Sequence, residues 1–117
     1  MKFLLIDDNI DTSKMLTKFL ELHGYECISS DDAKKGLALI NLNNFDAILL
    51  DLAMPEFTGY DVIEQLCQSG KIKENKIIVF TASTITNEEV NRLINSGVHA
   101  VFKKPVEIQL LINALKA

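Results

Sequence analysis

The chain has 117 residues, 48% hydrophobic and 24% charged, with a formal net charge of −4. That length fits one domain, residues 1–117, with enough apolar material for one core. No basic cluster is dense enough for a nucleic-acid footprint, which argues against DNA or RNA as a direct partner. The apolar runs FLLI and AILL are too short to cross a bilayer, and the N-terminus is no signal peptide, so a cytoplasmic protein is expected. Cys27 and Cys67 read as two reduced, partly buried thiols.

The first apolar run, FLLI at residues 3–6, has strand length and leads straight into Asp7 and Asp8. A helical stripe of Met15, Leu16, Phe19, Leu20 and His23 follows and stops at Gly24. YECIS (25–29) is the second strand. A helix over residues 32–42 turns Ala33, Leu37 and Ile40 inward. DAILL (46–50) is the third strand, with Asp51 just past its end. The next helix carries Val62, Ile63 and Leu66 and ends near Ser69-Gly70. KIIVF (76–80) is the fourth strand and runs into Thr81. A helix begins after Thr86-Asn87, either of which could cap it, and carries Val90, Leu93, Ile94 and Gly97. HAVF (99–102) is the fifth strand, followed by Lys103 and Lys104. The last helix, over residues 106–116, has a core stripe of Ile108, Leu111, Ile112 and Leu115, with Val106, Leu110 and Ala114 on its other side.

Strand and helix alternate five times, which predicts a parallel sheet covered by helices on both faces. The fold class is α/β, a flavodoxin-like doubly wound (βα)5 three-layer sandwich with strand order 2-1-3-4-5. In that topology a crevice opens beyond the ends of strands 1 and 3. Asp7, Asp8 and Asp51 meet there, and Thr81 and Lys103 or Lys104 arrive from neighbouring strand ends.

Three close carboxylates repel one another unless a positive charge joins them or one stays protonated. A hard divalent cation such as Mg²⁺ suits an all-oxygen site that also holds a phosphate. Metal, lysine, hydroxyl and a carboxylate nucleophile are together the parts for handling a phosphoryl group. Taken singly, each residue has a plainer role. Asp7-Asp8 would cap the first helix, Asp51 would be a loop acid, Thr81 an ordinary strand end, and the lysines solvated charge. Their joint arrival at four strand ends points to a shared site.

The ordered set Asp7-Asp8, Asp51 in DLAMPEFTG, Thr81-Ala82 and Lys104-Pro105 resembles the receiver domain of two-component response regulators, of the single-domain CheY-like kind. The resemblance spans the whole chain. It implies that Asp51 accepts a phosphoryl group from a phosphohistidine on a sensor histidine kinase or phosphotransfer protein. It implies Mg²⁺, with Mn²⁺ able to substitute, on Asp8, Asp51 and the backbone carbonyl of Ala53, with Asp7 acting mainly through a water. Lys104 would pair with Asp51 and then with a phosphoryl oxygen, and Thr81 would move to bond another. Lys103 is set aside because neighbouring strand residues point to opposite sides. The resemblance further implies a cis Lys104-Pro105 bond and a positive φ at Gly59. It implies protein output through the face of helix 4, strand 5 and helix 5, and a meeting with the kinase at helix 1 near Asp11, Ser13 and Lys14. Such a module is a phosphoacceptor rather than a turnover enzyme.

Some residues depart from the pattern. Phe57 and Thr58 do so mildly. Val101 stands where Tyr or Phe is usual and cannot supply the aromatic swing. Ala53 brings no polar group to position an attacking water, so slow self-dephosphorylation is expected, partly offset by Ser83. His23 and His99 lack companions for a metal site. The alternative reading is a non-phosphorylated receiver-like interaction module. A phosphatase would need a second acid at Ala53, and a flavin carrier would find its phosphate repelled by Asp7 and Asp8. A stand-alone receiver and a piece of a longer regulator fit the sequence equally.

Overall fold

Five parallel strands lie in the order β2-β1-β3-β4-β5. They are β1 (Lys2–Ile6), β2 (Glu26–Ser30), β3 (Ala47–Asp51), β4 (Ile77–Thr81) and β5 (Ala100–Lys103). Between and after them run α1 (Ile10–Leu22), α2 (Ala33–Leu42), α3 (Gly59–Ser69), α4 (Asn87–Ser96) and α5 (Ile108–Lys116). These elements come from a computed structural model that describes residues 1–82, 84–104 and 107–116. Ser83, Val106, the Lys104-Pro105 bond and the side chain of Ile108 lie outside the described residues. The α/β class and the strand order are as the alternating pattern predicts. No described helix is long and apolar enough to cross a membrane.

Strand alternation sorts the core into two layers. Phe3, Leu5, Ala47, Leu49, Ile78 and Phe80 face α1 and α5, where Leu16, Leu20, Leu111 and Leu115 cover them. Leu4, Ile6, Ile48, Leu50, Ile77 and Val79 face α2, α3 and α4, where Ile40, Val62, Leu66 and Leu93 cover them. All of these side chains are buried. Burial on both faces explains why β1, β3 and β4 read as unbroken apolar runs.

The helix boundaries follow their caps. Asn9, not Asp7 or Asp8, caps α1, accepting the Thr12 N–H at 3.0 Å. Thr58 and Asp61 form a capping box at the start of α3. Thr86 rather than Asn87 caps α4. Gly70 and Gly97 end α3 and α4 with φ of 76° and 118°, a region that favours glycine.

Several inward assignments need correction. Met15 is 56% exposed and His23 is also exposed, because α1 meets the sheet along the narrow line of Leu16 and Leu20. Ile94 sits on the outer side of α4, and Cys67 is exposed rather than partly buried. Ala114, expected on the outer side of α5, is half-buried against the α1/α5 core layer.

Glu56, in the loop after β3, has a φ of 63°. An ordinary side chain there costs about 1–2 kcal/mol relative to a right-handed conformation, and Asn tolerates it better. Glu56→Asn is expected to raise stability by up to about 1 kcal/mol in urea unfolding. No gain would mean that the glutamate is not strained there.

Candidate functional site at the carboxyl ends of the strands

The register carries four strand ends to nearly one level. Ile6 pairs with Leu50, Asp51 with Phe80, and Thr81 with Lys103. Alternation then decides direction. Asp7 continues the series Phe3 and Leu5, Asp51 continues Ala47 and Leu49, and Lys104 continues Phe102, all on the α1/α5 side. Thr81 continues Ile77 and Val79 on the opposite side. Lys103 falls on that opposite side too and is exposed, so Lys104 is the lysine of the site.

Asp7 is 1% exposed and Asp51 3% exposed. Lys104 Nζ donates to Asp7 Oδ2 at 2.8 Å and to Asp51 Oδ2 at 3.4 Å. The lysine therefore bridges both acids and lies nearer to Asp7, where the resemblance implied Asp51 alone. Its ammonium also sits 4.8 Å from the centroid of the Phe80 ring, a cation–π contact that helps hold it in place. The backbone ties the same corner together: Lys104 N–H donates to the Thr81 carbonyl at 2.9 Å. Thr81 itself is fully buried.

The remaining carboxylate oxygens are held by main-chain donors. Asn9 N–H donates to Asp7 Oδ1 at 3.0 Å, and Ala53 N–H to Asp51 Oδ1 at 3.2 Å. Ser13 Oγ donates to the Asp7 carbonyl at 3.3 Å, fixing α1 against the strand end. Desolvation, then the neighbouring Asp7, pushes the Asp51 carboxyl up to about 6, while Ala53 N–H and Lys104 act against this.

Asp8 is exposed, and one oxygen each from Asp7, Asp8 and Asp51 lie within 4.8 Å of one another. An all-oxygen, multiply charged donor set of this kind fits a hard divalent cation. The contacts on the two Asp7 oxygens are short, 3.0 and 2.8 Å, and those on Asp51 are longer, 3.2 and 3.4 Å, so Asp51 and the exposed Asp8 are the acids better placed to bind a cation directly. Ala53 is exposed at the lip of the site.

Gly59 corrects an expectation. It is not among the residues of positive φ. It is glycine because α3 starts hard against β3. A Cβ there would collide with the Asp51 carbonyl oxygen and come within 2.8 Å of Leu52 Cα. Both are backbone atoms next to the site and cannot swing aside. Thr58, the mild departure before it, is the α3 cap. Val101 is half-buried against the α2/α3/α4 core layer, level with Val79.

Parallel strand order and an acid cluster at the switch point define a class: doubly wound α/β domains that bind their ligand at strand ends. Comparison with known proteins narrows this. The chain belongs to the response regulator receiver domain family, whose sequence model matches residues 3–116. It is similar to the polar-differentiation response regulator DivK of Brucella anthropi, 26% identical over 114 residues that cover 97% of this chain and 92% of that protein. It is also similar to the receiver domain of the Francisella response regulator 1452, with a TM-score of 0.89 and 27% identity over 98% of this chain and 93% of that one. A third is a Burkholderia pseudomallei response regulator whose structure has a phosphorylated aspartic acid, calcium ion and citrate. Its TM-score is 0.84 and its identity 25%, over 97% of this chain and 65% of that one. The chain is thus a receiver domain of two-component signalling, a class that interacts with histidine kinases.

Proposed function

We propose that Asp51 is a phosphoacceptor. The observation that carries this reading is the convergence of Asp7, Asp8 and Asp51 with the Lys104 ammonium at one buried strand-end corner. An Asp51 oxygen attacks the phosphorus of a phosphohistidine. The P–N bond breaks, its electron pair returns to the imidazole nitrogen, and an acyl phosphate forms on Asp51. Mg²⁺, or Mn²⁺ in its place, would be held by Asp8, Asp51 and the Ala53 carbonyl, and would supply positive charge to the phosphoryl oxygens. Lys104 moves from its two acids to a phosphoryl oxygen. Thr81 offers its hydroxyl to another and so carries the new charge towards the α4 side. The similar Burkholderia response regulator, whose structure has a phosphorylated aspartic acid and a calcium ion, supports this reading.

The test is a mass measurement after incubation with Mg²⁺ and acetyl phosphate. The wild type is expected to gain one phosphoryl group and Asp51→Asn none. An unmodified wild type would favour a receiver-like module that works without phosphorylation.

In this reading the donor is a sensor histidine kinase or phosphotransfer protein meeting α1 around Asp11, Ser13 and Lys14, and the protein works in the cytoplasm. Output is to a protein target through α4, β5 and α5, where Ile94 and Leu110 are 42% and 51% exposed. Leu110→Glu is expected to leave folding intact and weaken target binding at least tenfold by calorimetry, about the effect of losing one well-packed apolar contact. Unchanged binding would place the target elsewhere.

Ala53 leaves the lip of the site without a side-chain donor for water. Ala53→Asn is expected to shorten the acyl-phosphate lifetime by about tenfold, less than the roughly 100- to 10,000-fold of a general acid or base because an amide positions water without taking its proton. An unaltered decay rate would show that water is not positioned from this residue.

A further inference from the structure

Tyr60 and Glu89 are distant in sequence, and neither belongs to the acid cluster. Tyr60 is the second residue of α3 and follows Gly59, which packs on the Asp51 carbonyl. Its hydroxyl donates to Glu89 Oε2 at 3.1 Å, across a groove of about 350 Å³ between α3 and α4. Glu89 lies in the first turn of α4. Its other oxygen accepts the Thr86 hydroxyl at 3.2 Å, and its N–H donates back to Thr86 Oγ1 at 3.1 Å. One carboxylate therefore closes the α4 cap and ties that cap to α3.

The helix so tied is lightly held. Leu93 is its one fully buried side chain, Val90 is half-buried, and the Arg92–Glu88 pair is exposed and internal to α4. At the far end of the groove Cys67 Sγ donates to the Ser96 carbonyl at 3.6 Å, a weak bond. Elements with little buried surface are the ones that shift most easily. A hydrogen bond of 3.1 Å is lost once its atoms separate by a few tenths of an ångström more. A small displacement of the α4 N-terminus is enough to break it.

We propose that the Tyr60–Glu89 hydrogen bond is a brace that holds α4 in its resting position and so opposes adoption of the phosphoryl-bound state. This rests on the reading of Asp51 as phosphoacceptor. The arrangement in which the brace is formed is the one in which Lys104 still bridges Asp7 and Asp51. A bond made in one state and absent from the other shifts their ratio by its own net worth. For a partly exposed hydrogen bond to a carboxylate that is a factor of about two to five. Tyr60 thereby acts as a positioning residue. It touches neither phosphoryl group nor metal, and its effect passes through α4.

The test compares wild type with Tyr60→Phe, which removes only the hydroxyl. Binding of beryllium trifluoride with Mg²⁺, a phosphoryl mimic, is expected to tighten about two- to fivefold. Hydrogen exchange of the α4 amides at residues 90–94 is expected to quicken by a similar factor without ligand. A merely structural hydrogen bond would lower stability and leave the mimic's affinity unchanged or weaker, and either result overturns the proposal. Glu89→Ala and the double variant complete a cycle. The two changes should be non-additive in mimic affinity, and strict additivity also counts against the brace. If the wild type binds no mimic, the phosphoacceptor reading falls and this inference falls with it. If the wild type binds and Tyr60→Phe binds equally, only the brace is lost.

Discussion

Replacing Lys104 with methionine will destabilise the metal-free protein by about 3–5 kcal/mol at pH 7.5, the usual cost of stranding a buried charge. The large effect follows from Asp7. Its side chain is fully buried, and Lys104 is its cationic partner at 2.8 Å. Methionine keeps most of the length and apolar bulk over Phe80, so the loss reports the charge rather than the volume. Once the ammonium is gone, two acids face each other, held by the Asn9 and Ala53 main-chain N–H groups. The cheapest escape is proton uptake, and the variant should therefore recover stability on acidification. Adding Asp7→Asn should restore a large part of the loss by removing the stranded charge. Urea unfolding across pH 5–8 checks all three expectations. A loss below about 1 kcal/mol would mean that Lys104 behaves as a surface lysine.

The second large effect is a pH dependence opposite to the one usual for a salt-bridged aspartate. The Asp51 carboxyl is raised from 3.8 to about 6 by desolvation and by Asp7. Between those values the folded chain keeps a proton that the unfolded chain has lost. The stabilisation is fully present below about pH 4 and is lost as pH rises through about 6. A displacement of about two pH units corresponds to about 3 kcal/mol from this group, before other carboxylates are counted. Asp51→Asn should abolish this slope and make the metal-free protein more stable than wild type at pH 7. Mg²⁺ should act in the opposite sense. It competes with the proton for the same carboxylates, so millimolar Mg²⁺ should raise the melting temperature more at pH 7.5 than at pH 5. Equal shifts at both pH values would place the cation away from Asp51.

Much of this was legible in the sequence because two-sided burial leaves an unmistakable trace. FLLI, AILL and IIVF are apolar throughout, and the helices between them carry spaced Leu and Ile. The polar residues that interrupt the pattern at strand ends marked the crevice. The boundaries were less legible. Asp51 and Thr81 were read as lying just past their strands, yet both are the last residues of β3 and β4. Side-chain polarity does not report whether the backbone still pairs. Gly59 was legible as a required glycine but not for its reason, since a close approach of backbone to backbone leaves no local pattern. The shared grip of Lys104 on Asp7 and Asp51, its seat on Phe80, and the Tyr60–Glu89 contact all join residues far apart in the chain. Pairs of that kind appear only once the strands are in register.

The sheet also acts as a partition. Asp7, Asp51 and Lys104 follow the parity of one face, and Thr81 follows the parity of the other. An insertion of one residue in β1 or β3 would rotate Asp7 or Asp51 to the other side of this wall, whereas an insertion of two would restore it. Descendants of this chain are therefore free to lengthen their loops, but their strands can grow only in even steps.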